Sequence, residues 1–224
     1  MIDLRTYELL GIDDHTKKFN DSIKMLKDSL ANGITTLVLA PPCSLHRKGD
    51  TERFLTQRSI EIEKLKSQQN LPSILWGAKV LMDHDLSLHK NVDKLCIDNG
   101  KYLFVELPNF ARIPDFDEWI YNLNMKGITP IIAHVDRFPL WKDLIEGLSS
   151  VKVYFQVNVS AINNIFKRKV VKKLISHRKK FFISSDSHQF SSTIFNVDVA
   201  LEKSKRYFPK NFSSFFLSDF NFYI

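Results

Sequence analysis

Two short runs carry the residue types best suited to chemistry. Ala133-His134-Val135-Asp136-Arg137 places an imidazole, a carboxylate and a guanidinium close together, and Ser185-Asp186-Ser187-His188 adds a second carboxylate–imidazole pair. Each follows an apolar run, as do Asp13 and Asp14, the group Cys43, His46, Arg47 and Lys48, and the single residues Lys79, Glu106 and Asn158. Carboxylates mixed with imidazoles suit manganese, iron, zinc or magnesium. Such ions activate water and hold a phosphoryl oxygen, and a planar guanidinium matches two phosphate oxygens at once. Any one of these residues is ambiguous, since a histidine after a strand is commonly a hydrogen-bonded structural residue. Their common position after apolar runs is what suggests a site.

That position follows from the elements around them. Apolar, β-branched and aromatic runs at 1–5, 35–40, 73–78, 102–107, 129–133, 153–158 and 181–185 read as strands covered on both faces. Helical patterns separate them. Phe19, Ile23, Leu26 and Leu30 share one face, ended by Asn32-Gly33. Further helices are expected over about 51–68, after Pro114 with Phe116, Trp119, Ile120 and Leu123, over about 161–176, and over about 193–206. Strand–helix alternation predicts an α/β fold of parallel strands with crossover helices, and ligands then sit beyond the carboxyl ends of the strands. Periodicity alone leaves open a doubly wound sheet or a closed barrel.

The chain has 224 residues, 44% of them hydrophobic and 18 of them Phe, which suffices for one aromatic-rich core. A single domain over 1–224 is expected, with no repeat or low-complexity linker. No apolar run approaches a membrane span, and the start lacks the basic-then-apolar pattern of a signal peptide, so the expected location is the cytoplasm. Cys43 and Cys96 form neither a disulfide framework nor a four-cysteine zinc site. The net charge of +7 gathers at 167–180, where Val170, Val171, Leu174 and Ile175 interleave with Lys and Arg. This reads as an amphipathic helix with a solvated basic face rather than a nucleic-acid surface. The apolar end, 212–224, is expected to pack on the body or on a neighbouring subunit.

The motif order resembles the polymerase-and-histidinol-phosphatase (PHP) superfamily, and within it the bacterial capsule-locus protein-tyrosine phosphatases. The segments that carry the likeness are Met1-Ile2-Asp3 with Gly11-Ile12-Asp13-Asp14, Arg47-Lys48-Gly49, Trp76-Gly77-Ala78, Pro130 to Arg137, Gln156-Val157-Asn158 and Ser185 to His188. The resemblance implies a distorted seven-stranded (β/α) barrel holding a metal site, usually manganese. It implies hydrolysis of phosphotyrosine on a tyrosine kinase that controls capsule or exopolysaccharide synthesis, with that kinase or its tail as the partner. It further implies metal binding by Asp14, Glu106, His134, Asp186 and His188, catalysis involving His134, Arg137 and Asp186, and substrate contacts from Arg137, Arg47 and Lys48.

Several positions depart from the family pattern. A His-x-His pair is replaced by Arg5 and Tyr7, a histidine after the second strand by Cys43, and a metal-bridging glutamate by Lys79. An arginine expected near 189–193 has no counterpart. The cations suggest a partly metal-free solution in which Arg5 and Lys79 neutralise Asp14, Glu106 or Asp186, leaving one ion or none. The alternative is that both swing to solvent and fewer metals bind. Cysteine-based phosphatase chemistry needs an arginine where Gly49 stands, so Cys43 is expected to be a small buried filler. The resulting expectation is a weakened phosphatase. The rival readings are a non-catalytic module for phosphorylated or acidic peptides and a phosphoesterase for a small phosphate ester.

Overall fold

The computed structural model describes residues 2–3 by their backbone, and 19–108, 113–184, 203 and 205–208 in full. Along these residues run strands β1 (Ile2–Asp3), β2 (Thr36–Leu39), β3 (Pro42–Cys43), β4 (Ser73–Trp76), β5 (Lys79–Leu81), β6 (Tyr102–Glu106), β7 (Thr129–Ile132), β8 (Tyr154–Asn158) and β9 (Lys180–Ser184). The helices are α1 (Phe19–Ala31), α2 (Asp50–Lys66), α3 (Phe116–Met125), α4 (Trp141–Gly147), α5 (Val159–Asn163) and α6 (Arg168–Ser176). Every described strand pairing is parallel.

Among the described residues the strands form two parallel sheets, in the orders β1-β2-β4 and β3-β5-β6-β7-β8-β9, where a distorted seven-stranded barrel was expected. The physical reason lies in two interruptions. Pro41 and Pro42 lack N–H groups, so β2 stops at Leu39, near the end of the run expected at 35–40, and the chain resumes as β3 beyond that run. Its neighbour, expected at 73–78, stops at Trp76, and after Gly77-Ala78 the chain resumes as β5. Backbone bonds span the gap, from Gly77 N–H to Leu39 O at 2.8 Å and from Lys79 N–H to Pro41 O at 2.9 Å. Gly77 has little room for a side chain, since a Cβ there would lie 3.2 Å from Ile97 Cγ1.

Strand residues alternate between two packing layers. Leu103 and Val105 of β6 join Ile132, Phe155, Val157, Phe181 and Ile183 beneath the helices. On the opposite face Tyr102 and Phe104 pack with Val38, Ile131, Tyr154 and Phe182, so this second layer draws on both sheets. The rings of Tyr154 and Phe182 meet edge to face at 5.4 Å, an arrangement that adds to simple area burial.

The helices differ from expectation in two places. The stretch expected at 161–176 is two helices, because Asn164 Oδ1 accepts N–H bonds from Phe166 at 2.9 Å and Lys167 at 3.3 Å and so turns the chain locally. Helix α4 was not expected. The helix expected at 193–206 lies largely outside the described residues, although Lys203 and Lys205, Arg206 and Tyr207 are helical. Helix α1 ends as expected, with Gly33 at φ 81°, a conformation glycine adopts without steric cost. The basic stretch forms α6, which buries Val170, Val171 and Leu174. The apolar end at 212–224 lies outside the described residues.

Candidate functional site

At β5 and β6 the register pairs Leu81 with Glu106 and Lys79 with Phe104. Lys79 therefore sits two residues behind the carboxylate, on the same face of its strand. Its long side chain spans that offset and brings Nζ to 3.1 Å from Glu106 Oε2. Lys79 is only 9% exposed, whereas Glu106 is 43% exposed. The ammonium is thus the desolvated partner and the carboxylate the wetter one. Solvent at Glu106 screens the pair, which limits its contribution to about 1 kcal/mol.

Beyond β7 the chain turns sharply. His134 takes a left-handed conformation, φ 51°, and starts the short turn Val135–Arg137. Such a conformation is sparsely populated outside glycine, and here hydrogen bonds hold it. The His134 N–H donates to Gln156 Oε1 at 2.6 Å, and the Arg137 N–H donates back to His134 O at 2.8 Å. Gln156 Nε2 donates to Ser184 Oγ at 2.6 Å and to Asn158 Oδ1 at 3.1 Å.

Asp136 completes this network. Its side chain is fully buried and accepts from Asn158 N–H at 2.9 Å, Asn158 Nδ2 at 3.3 Å and Lys167 Nζ at 3.2 Å. Because the Asn158 NH₂ group faces a carboxylate, its Oδ1 must face the other way. That oxygen lies 3.1 Å from His134 Nδ1, so Nδ1 carries a hydrogen and the neutral ring keeps its lone pair on Nε2. A carboxylate two residues away in sequence thereby selects the imidazole tautomer through an amide, as outer partners do for ligating or proton-accepting histidines. Arg137 is exposed at the end of this turn.

The loop after β3 carries Cys43, His46, Arg47 and Lys48. Cys43 is buried in the helix-covered core layer. Burial, and then the nearby Asp50 carboxylate, push its thiol up to about 12 against the opposing Arg58 charge, so it stays protonated and unreactive at neutral pH. Asp50 Oδ2 accepts from Arg47 N–H at 2.9 Å and Ser44 Oγ at 3.2 Å. This holds the Arg47-Lys48 turn at the start of α2. His46 Nε2 lies 3.5 Å from Asp83 Oδ2 in the loop after β5.

Of the expected site residues, Lys79 and Glu106 come together, and His134 stands at the adjoining strand end with Arg137 exposed beside it. Cys43 belongs to the core, and Arg47 and Lys48 lie on an exposed turn. Arg5, Tyr7, Asp14, Asp186 and His188 lie outside the described residues. Sequence reading did not anticipate Lys167 as the partner of Asp136. Nor did it single out Asp83, His84 and His89, which lie several residues past a strand end.

The described donors do not fit a multi-metal centre. Among the described residues no three His, Cys, Asp or Glu side chains are grouped to hold an ion, and the Glu106 carboxylate is engaged by an ammonium rather than open to a cation.

A family model described as capsular polysaccharide synthesis, CpsB/CapC, matches residues 1–218. CapC of Staphylococcus aureus is 27% identical over 87% of this chain and 80% of its own length. The tyrosine-protein phosphatase CpsB of Streptococcus agalactiae is 24% identical over 89% and 84% respectively. A chain solved in work on YwqE from Bacillus subtilis and CpsB from Streptococcus pneumoniae, described as metal-dependent tyrosine phosphatases, superposes with a TM-score of 0.77. It is 20% identical and covers 95% of this chain and 89% of that one, a likeness of fold.

Proposed function

Since the chain belongs to the CpsB/CapC capsular polysaccharide synthesis family, we propose that it recognises phosphotyrosine on a tyrosine kinase of capsule or exopolysaccharide synthesis and hydrolyses it weakly. The relatives' phosphatase names support the substrate class. The Lys79–Glu106 ion pair carries the word weakly, because a cation 3.1 Å from the carboxylate repels the divalent ion such an enzyme depends on. Arg137, exposed beside the fixed His134, is the phosphate-binding group in this reading, and its fork would take two phosphate oxygens. Arg47 and Lys48, on their exposed turn, steer the phosphorylated tail. His134, with its lone pair directed to Nε2, would accept a proton or a ligand bond.

The same reading takes the two sheets as sectors of one distorted barrel and the chain as one domain working in the cytoplasm. No described helix is long and apolar enough to cross a membrane. The second reading, a phosphopeptide-binding module without turnover, draws on the same ion pair. Turnover of a phosphotyrosine peptide and of a small aryl phosphate, with and without manganese, separates the two when paired with elemental analysis. The expected result is measurable peptide binding with turnover far below that of Streptococcus agalactiae CpsB assayed alongside. Robust manganese-dependent hydrolysis by protein carrying a full complement of metal would overturn the attenuation. Peptide binding that Arg137→Ala leaves unchanged would overturn the assigned role of that residue.

A further inference from the structure

The loop after β5 builds a second constellation that the phosphatase reading does not use. His84 and His89 flank a short helical turn, Leu86–Leu88, and their Nε2 atoms face one another at 2.7 Å. His84 Nδ1 lies 2.5 Å from Asp83 Oδ1. A carboxylate on Nδ1 fixes that nitrogen as the protonated one and directs the lone pair of His84 to Nε2, toward His89. The arrangement is the carboxylate–histidine pairing that orients metal ligands.

The turn between the rings is braced from both ends. Asp85 Oδ1 accepts from Ser87 N–H at 2.9 Å, and its Oδ2 accepts from Asn122 Nδ2 of α3 at 2.8 Å. His89 N–H closes the turn onto Leu86 O at 3.1 Å. The two imidazoles are therefore presented at a set spacing by a tethered loop. That lowers the ordering cost of binding.

We propose that His84 and His89 form a bis-imidazole chelate for a tetragonal divalent cation of the copper(II) or nickel(II) kind, with solvent completing the coordination and Asp83 orienting His84. The spacing favours this class. Imidazole donors suit these ions, and two cis nitrogens on bonds of about 2.0 Å stand about 2.8 Å apart, a separation the loop already provides. With no third described donor converging, the site is a two-ligand chelate and not a closed structural cage. In the metal-free molecule the 2.7 Å contact is an N–H···N bond in which His89 Nε2 donates to His84, and as the cation enters His89 gives up the hydrogen on Nε2 and takes one up on Nδ1, with no net change in protons. His46, on the adjacent loop at 3.5 Å from Asp83 Oδ2, steadies the orienting carboxylate.

Copper(II) titration of the whole protein, followed by electron paramagnetic resonance, tests the site. The wild type is expected to bind one equivalent more copper than His84→Gln or His89→Gln, and that extra equivalent should carry hyperfine splitting from two imidazole nitrogens. Asp83→Asn should retain the two-nitrogen signal with about tenfold weaker affinity. His177→Gln, far along the chain at the end of α6, should match the wild type. Circular dichroism verifies that each variant is folded, and His89→Gln, at a partly exposed position, serves where His84→Gln does not fold. Equal stoichiometry and spectra in wild type and both histidine variants, or a single-nitrogen signal in wild type, would overturn the proposal.

Discussion

The two halves of the strand-end rim handle buried polarity in opposite ways. On the β7–β9 side, His134, Asp136, Gln156, Asn158 and Ser184 form a network of directional bonds in which one carboxylate sets an amide and the amide sets a ring. On the β5–β6 side, Lys79 and Glu106 are joined by one charge pair with its carboxylate half in water. The first arrangement constrains geometry and leaves several groups stranded if one member is lost. The second constrains mainly charge and tolerates replacement. The rim thus combines a rigid half that presents an imidazole and a softer half that repels cations.

The largest expected effect breaks the rigid half. Asp136→Ala removes the acceptor of a buried backbone N–H, an amide and an ammonium, and should cost about 3 kcal/mol in urea unfolding. A cost near that of a surface substitution would erase the contrast. The next effect is on the soft half. Lys79→Glu places two carboxylates together and should lower stability by about 1 kcal/mol without metal. Manganese should then raise its melting temperature by several degrees, because a cation that binds only the folded state stabilises it. An identical manganese response in the wild type would show that Lys79 does not exclude the ion. Smaller still, Lys79→Met should change stability by less than about 1 kcal/mol, since an apolar replacement avoids the desolvation of the ammonium. The smallest effect concerns Cys43. Its thiol is raised from 9.0 to about 12, so a thiol reagent at pH 8 should label it only after unfolding. The sign of the linkage is that of a raised acid. The stability this thiol contributes is complete below pH 9 and is lost as pH climbs toward 12, so Cys43→Ala should flatten the alkaline decline.

Much of the fold was legible because hydrophobic runs of strand length alternate with helical periodicity. The apolar faces of α1 and α3 and the strands at 102–107, 129–133 and 153–158 follow from that pattern. The short strands β3 and β5 were not legible, since they lie just past the runs at 35–40 and 73–78, beyond Pro41 and Gly77-Ala78. The division between α5 and α6 depends on one side-chain oxygen, that of Asn164. At the site, strand-end position singled out Lys79, Glu106, His134 and Arg137. Pairings between distant segments were beyond reach, because neither periodicity nor spacing tells Asp136 that Lys167 will arrive. The histidines of the β5 loop were missed for a related reason. They sit past the strand end, on a turn whose geometry only Asp85 and Asn122 define.

From β5 to β9 strand pairing follows the order of the chain, each strand lying against the one just before it, whereas β4 and β5 reach back past a strand to β2 and β3. Synthesis runs in the same direction, so each strand leaving the ribosome meets a partner that already exists. Along β5 to β9 growth from the amino end requires no waiting edge to be held for a distant segment. Loss of carboxyl-terminal segments should then strip strands from one margin, β9 before β8, and leave the earlier pairings to form as they do in the whole chain.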